Sequence, residues 1–244
     1  MARLERPFGE PLRRVLRARF PRGWQLARQG WWNGWGHLGW IAARTGLLSD
    51  QPYDAGFWDH HDQDDLTGLA RGLLALAPWT SLIDVGCGSG TLLRELGRLA
   101  PEARLAGVDG SPVALERARA RGLSVSQVDL GGGGGELRAL AARLGRYDVA
   151  TSLEVGEHLP VWSARPLVEL LTLLAPRVVF SAAQPGQGGH HHIHERGLEY
   201  WAGLFRRLGW VRDQSATDTL RGALGAAPRL PEYYARNVQV FRPA

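Results

Sequence analysis

A short apolar strand that runs straight into closely spaced glycines leaves a chain few folds to choose from. Leu82-Ile83-Asp84-Val85-Gly86-Cys87-Gly88-Ser89-Gly90 is such a segment. Glycine lets the backbone turn sharply at the strand end and lets a ligand approach the main chain without meeting a Cβ. The spacing is Gly-x-Gly-x-Gly; it departs from the Gly-x-Gly-x-x-Gly of dinucleotide folds because Thr91 stands where that pattern needs glycine. Taken alone, such a turn also serves as a plain structural corner.

The chain beyond the turn narrows the choice. Ser81–Val85, Arg104–Val108, Leu123–Val128, Tyr147–Ser152 and Arg177–Ala182 read as short buried strands, rich in β-branched residues and ending in small or acidic ones. Between them, Leu92–Ala100, Pro112–Arg121 and Leu167–Ala175 carry apolar residues at helical spacing, and Pro112 suits a first helical position. Gly131–Gly135 reads as a loop before a helix over about 136–144, since each glycine inside a helix costs about 1 kcal/mol. A last helix is expected over Glu199–Leu208, with strand-like Trp210–Ser215 and Arg236–Phe241 after it. Strand–helix alternation predicts right-handed crossovers and an α/β fold, a mostly parallel sheet with helices on both faces. The 244 residues fit one large domain, divided here into a front segment, residues 1–65, and a main domain, residues 66–244.

Open α/β sheets bind ligands along the edge formed by the strand C-termini, and acids collect there. Asp109 ends the second strand, 19 residues after Gly90, where a carboxylate accepts hydrogen bonds from ribose hydroxyls; it also stands where it can cap the helix that Ser111-Pro112 begins. Asp129 ends the third strand, and Asp84 precedes the turn. The set, in this order, resembles the class I S-adenosylmethionine-dependent methyltransferases over about residues 66–242. DVGCGSG is similar to their first motif, GVDGS to their second, QVDL to their third and YDVATSLEVGEHLP to their fourth. SLEVGEHLP, FSAAQPGQGGHHH and EYWAGLF further resemble one bacterial group of that superfamily. The resemblance implies a Rossmann-like fold with a seven-stranded sheet and an N-terminal lid. It implies S-adenosylmethionine as cofactor, with Gly86, Gly88 and Gly90 under its amino-acid part, Asp109 at the ribose and Asp129 near the adenine amine. Asp84, Cys87, Gly110, Leu130 and Glu154 complete the expected cofactor side.

An oxygen or nitrogen nucleophile must shed a proton, which calls for a base or a metal. Two clusters offer either. Glu154-Val155-Gly156-Glu157-His158 follows the fourth strand, and His190-His191-His192-Ile193-His194-Glu195 lies in the glycine-rich loop after the fifth. In one reading His158 or His191 is the general base, His192 is a further catalytic candidate, and the glutamates, Glu157 among them, orient loops. In the other, Glu154, Glu157 and His158, brought together on a helical turn, join His191 around a divalent cation, magnesium or manganese. That pattern is similar to the small-RNA 3′-terminal 2′-O-methyltransferases, whose metal lowers the pKa of the attacked hydroxyl.

Seven of the ten tryptophans precede residue 80, and Tyr53–Asp62 mixes aromatics, acids and histidines. Aromatic walls with few polar groups suit a small organic acceptor, although tryptophans also bury area simply by capping a sheet. All 29 basic residues are arginine and the net charge is +5. Arginines from Arg13 to Arg22 could track phosphates, but the acids from Asp50 to Asp65 oppose this, and nucleic acid is not the expected partner. Cys87 is the sole cysteine, so the chain makes no internal disulfide and no cysteine-based zinc site. No apolar run is long enough for a membrane span or signal core, and the location expected is cytoplasmic. The sequence thus points to methyl transfer, foremost to an oxygen of a small molecule such as a sugar or secondary metabolite. The alternatives are a metal-assisted RNA 2′-O-methyltransferase and a non-catalytic cofactor-binding subunit; oligomeric state and acceptor are left open.

Overall fold

The structure is a computed structural model and describes residues 55–76, 78–227 and 230–244. Most of the tryptophan-rich front, residues 1–54, lies outside them. The described chain opens with α1 (Ala55–His61) and α2 (Thr67–Ala75). Strands and helices then alternate: β1 (Ser81–Val85), α3 (Thr91–Leu99), β2 (Arg104–Asp109), α4 (Pro112–Ala120), β3 (Val125–Gln127), α5 (Gly134–Leu144), β4 (Val149–Leu153), α6 (Ala164–Leu174) and β5 (Arg177–Ser181). α7 (Leu198–Arg206), β6 (Trp210–Arg212), α8 (Gln214–Gly225), α9 (Glu232–Asn237) and β7 (Gln239–Pro243) complete it.

The seven strands form one sheet in the order β3-β2-β1-β4-β5-β7-β6. β1 to β5 pair in parallel, while β7 runs antiparallel between β5 and β6. The expected Rossmann-like, mostly parallel sheet of seven strands is therefore the fold observed. Every residue of β1 is buried, as a central strand covered on both faces requires. One apolar layer joins the sheet to α5, α6 and α7 through Ile83, Leu137, Leu167, Phe180 and Trp201. The opposite layer joins α2, α3 and α8 through Leu69, Leu82, Leu93, Val179 and Leu220. Because β1 has β2 on one side and β4 on the other, the strand order reverses there, and a crevice opens at its C-terminal end.

Three segments differ from the expectations drawn from sequence. The helix after the glycine run starts at Gly134, not beyond Gly135. Glycines in a first turn interrupt no hydrogen-bonded interior, so their cost falls where the helix can best absorb it. Residues 214–225, in part expected as strand, form α8, with the Asp213 side chain accepting the Ala216 N–H at 3.0 Å as its N-cap. Residues 236–237 close α9, and the last strand begins only at Gln239.

Candidate active site

The glycine turn stands at the reversal point. Gly86, Gly88 and Gly90 all have positive φ (86°, 53° and 79°), a region that costs other residues about 1–2 kcal/mol. The turn is anchored from below: Val108 O accepts the N–H groups of Gly86 (2.7 Å) and Cys87 (3.1 Å). Asp109, at the end of β2, closes it from the side. Its Oδ2 accepts the Gly88 N–H and its Oδ1 the Ser111 N–H, each at 2.8 Å. The helix cap is Ser111 itself, whose hydroxyl accepts from the Ala114 N–H. Burial pushes the Asp109 carboxyl up, against the opposing backbone N–H groups.

Asp84 lies beneath the turn, almost wholly buried, and accepts a 2.6 Å hydrogen bond from the Thr151 hydroxyl on β4. Burial pushes its pKa to about 7, with the Asp109 charge adding to the effect. Buried Cys87 packs under Gly107, its thiol pushed well up by burial. Asp129 is exposed just beyond β3 and accepts from the Gly131 N–H at 2.9 Å. Beside it opens a cavity of about 200 Å³, bordered by Gln127, Val128, Glu136 and Arg143. Leu130 is buried, and Gly110 lies next to Asp109 on the same edge.

α1 covers this cradle. A Cβ added at Gly88 would come within 2.6 Å of the Trp58 ring, so the indole lies directly on the glycine. Asp62, just beyond the helix, is bonded by the Ser89 hydroxyl and paired with Arg117 (3.0 Å) and Arg121 (2.8 Å) of the α4 region. Arg117 also pairs with Asp59 at 2.8 Å, and Arg121 donates to Ser89 O. Burial alone would raise the Asp62 pKa; the Ser89, Arg121 and Arg117 bonds outweigh it and hold the carboxylate below its usual value.

The second cluster lies past β4 and β5. Glu154 follows β4 in a left-handed conformation (φ 55°), and a 3₁₀ turn, Gly156–His158, comes next. Val155 packs on Gly86, which places this segment against the turn. The left-handed residue sends Glu154 away from Glu157. Its carboxylate accepts from Gln187 Nε2 (2.8 Å) and Asn237 Nδ2 (3.1 and 3.2 Å), tying the loop after β5 to α9. The expected convergence of Glu154, Glu157 and His158 on one helical turn therefore does not occur.

Glu157, His158 and His192 do converge: one ligand atom from each lies within 4.8 Å of the others. Glu157 is fully buried, and neither carboxylate oxygen has a hydrogen bond of good geometry among the described residues. Burial pushes its pKa well up, with Glu154 repulsion adding and the nearby Glu157 and Ala183 amides only partly offsetting. Its backbone carbonyl accepts the N–H groups of Ile193 (2.9 Å) and His194 (3.0 Å), which docks the histidine loop onto this turn. Burial and the neighbouring His192 push the His158 pKa down to about 3, so its ring is a neutral imidazole.

The four loop histidines go to different places. His190 faces Phe57 of α1 (ring centroids 5.3 Å) and His191 (4.1 Å). His194 is buried against Tyr200 and Trp201. His192 alone enters the cluster: its Nε2 is 4.0 Å from Glu157 Oε1, its ring stands edge-on to His158 at 4.9 Å, and its Nδ1 is 3.0 Å from Glu195 Oε1. His191, expected as a ligand, is not part of that group. Glu195 carries no role on sequence grounds; its one signal there is the three-residue spacing from His192.

A family model described as a methyltransferase domain matches residues 58–225, well over half the chain. The chain belongs to the class I S-adenosylmethionine-dependent methyltransferases. It is an enzyme of that family. Solved structures with the same fold include a TehB-like S-adenosylmethionine-dependent methyltransferase from Corynebacterium glutamicum (20% identity, 78% of this chain and 96% of that chain, TM-score 0.53). Another is DesVI from Streptomyces venezuelae (17%, 81% and 100%, TM-score 0.55). A third is the plantazolicin methyltransferase BpumL in complex with SAH and a substrate analogue (14%, 75% and 88%, TM-score 0.53). No curated protein matches the chain. Among the described residues no helix is long and apolar enough to cross a membrane.

The cradle suits the family's cofactor. The turn is built of glycines in conformations other residues avoid, an acid ends β2 beside it, and the whole lies at the strand reversal.

Proposed function

We propose that this enzyme methylates an oxygen of a small polar molecule, with His192 as the group that receives the departing proton. The observation that carries the reading is the Glu157–His158–His192 cluster, a buried acid with two partly buried imidazoles, on the segment whose Val155 packs on Gly86 of the glycine turn. S-adenosylmethionine supplies an electrophilic methyl group on sulfonium. The chain then has to hold the acceptor oxygen in line with that carbon and take its proton, and positioning carries much of the rate. Asp109 and the glycine turn bind the cofactor, with Asp129 and Leu130 on its adenine side. His158, with its pKa near 3, is a poor base at neutral pH, which leaves His192 as the base and His158 as its packing partner. A cavity of about 220 Å³ bounded by Gln184, Gly186, Gln187 and Arg236 lies on the same loop, and its hydrogen-bonding lining favours a polar acceptor of modest size.

A second reading has its own support. The two oxygens of Glu157 lack hydrogen-bond partners among the described residues, and a divalent cation held by Glu157, His158 and His192 would satisfy them. Two imidazoles and one carboxylate suit manganese, iron or zinc better than magnesium. Such a metal would polarise the acceptor hydroxyl, and hydroxyl-bearing RNA ends would then join small molecules as acceptors.

Calorimetry with S-adenosylmethionine, then an SAH-release assay over a panel of hydroxylated metabolites and RNA 3′ ends, tests both. We expect cofactor binding, and SAH release with a small hydroxylated acceptor that survives exhaustive chelation. Activity lost on chelation and restored by manganese would move the three side chains to ligation. Absence of cofactor binding would refute the assignment of the site.

A further inference from the structure

Glu195 lies three residues past His192 and is itself held from behind. Its Oε2 accepts the Gly186 N–H and its Oε1 the Gly188 N–H, each at 2.8 Å. Oε1 is also 3.0 Å from His192 Nδ1. Each oxygen thus already accepts a main-chain N–H, so the carboxylate is held in place purely as an acceptor. An ionised carboxylate only accepts hydrogen bonds. The nitrogen facing it must therefore carry the hydrogen, and in the neutral ring the other nitrogen, Nε2, keeps its lone pair, 4.0 Å from Glu157 Oε1.

From this geometry we infer that Glu195 is a positioning residue of the reacting site: it fixes His192 as the Nδ1–H tautomer and aims the bare Nε2 into the cluster. The inference rests on the proposed role of His192 for its functional meaning. Its structural core stands apart from that role, because the same bare nitrogen serves as proton acceptor or as metal ligand. Three features make the orientation rigid. The carboxylate is fixed by main-chain donors from a glycine-rich loop, so it cannot follow the ring if the ring swings. The His192 ring lies flush on Gly189, where an added Cβ would collide with Nε2. The backbone of the next two residues is bonded to Glu157 O, which holds the loop at the height of the 3₁₀ turn. The arrangement explains why one histidine of a run of three is selected: only His192 has an acid three residues on whose carboxylate the loop has already locked.

Nitrogen-15 spectroscopy of the free, histidine-labelled protein at neutral pH tests this without any acceptor. His192→Gln assigns the signal by its loss. We expect the His192 resonances to show hydrogen on Nδ1 and a bare Nε2, and Glu195→Ala to convert them to the averaged pattern of an unconstrained imidazole. Hydrogen on Nε2 in the parent, or a pattern unchanged by Glu195→Ala, overturns the inference. Gly189→Ala provides a second route: it keeps every functional group but pushes the ring, so the His192 signals should shift, and signals that stay in place count against the inferred orientation. In the SAH-release assay, Glu195→Ala should lower kcat about 10–100-fold, as loss of a group that orients a functional histidine does, with the KM for S-adenosylmethionine unchanged. It should cost nothing further in a His192→Ala background, because residues acting as one unit are not additive. A further tenfold loss there would assign Glu195 a role independent of His192. If no acceptor is ever turned over, the spectra still decide the tautomer, and the two failures remain distinct.

Discussion

Asp109→Ala is the sharpest test of the cofactor cradle, because the carboxylate holds the glycine turn and is also the group proposed to meet the ribose. In the resting fold its two oxygens accept the Gly88 and Ser111 N–H groups at 2.8 Å each. A carboxylate oxygen has a second lone pair, and these are the acceptors proposed for the two ribose hydroxyls. Hydrogen bonds to charged groups contribute about 1.5–3 kcal/mol each. Losing the two backbone bonds should therefore lower stability by about 2 kcal/mol or more, since two amides lose their acceptor. Losing the ribose bonds should weaken cofactor binding by a similar amount, about thirtyfold at 1.4 kcal/mol per decade. The two effects separate in one experiment. Calorimetry with SAH gives the affinity, while thermal melts with and without SAH give the stability and the extra stabilisation by ligand, which scales as RT ln(1 + [L]/Kd). The variant should melt lower when free and gain less from SAH. An affinity within twofold of the parent would refute the ribose role, whatever happened to the melting temperature.

Gly88→Ala should destabilise the protein and cut cofactor affinity, since it combines a left-handed φ with a methyl pressed into Trp58; thermal melts and calorimetry check it, and adding Trp58→Ala should relieve part of the loss. Asp62→Asn removes the charge that Arg117 and Arg121 share, and should loosen α1 by about 1–2 kcal/mol, read as faster amide exchange in residues 55–61. Asp84 has its folded pKa raised to about 7, so the folded state binds more protons than the unfolded state between about pH 4 and 7 and loses stability as pH rises through that window. Asp84→Asn should flatten the fall in melting temperature between pH 5 and 8; an unchanged slope would remove Asp84 as its source.

The parts of the molecule legible in the sequence are those set by neighbours along the chain. β1 and the glycine turn are one continuous segment, and Ser111-Pro112 announces α4 through a cap and a first-turn proline. α8 is not read from the sequence, where its start reads as strand, although Asp213 caps it and Thr217, Leu220 and Leu224 recur at helical spacing on its buried side. What the spacing could not show was partnership across the chain. Glu154 is three residues from Glu157, yet its carboxylate is taken by Asn237, 83 positions away, because the chain turns left-handed at the end of β4. A helical turn was the natural assumption for Glu-x-x-Glu-His, and one φ of 55° at Glu154 undoes it. The choice of His192 over His191 has the same character. His191 itself takes a left-handed backbone, and the turned chain presents the next ring to Glu195.

The front of the chain gains a physical role from the same contacts. Phe57 and Trp58 are adjacent on α1 and reach different parts of the site: Trp58 lies on Gly88, while Phe57 faces His190 of the histidine loop. Phe57 also packs edge-on against Trp58 at 5.0 Å, so the two rings share a contact as well as a backbone. One short helix therefore covers both Gly88 and His190. The acid–arginine contacts of Asp59 and Asp62 set where this helix rests, on the α4 side of the cradle. Trp79 differs in kind, its indole N–H donating to Leu73 O of α2, where it closes the apolar layer. Of the front aromatics described, then, Phe57 and Trp58 join the cofactor side to the reacting side, and Trp79 is part of the wall.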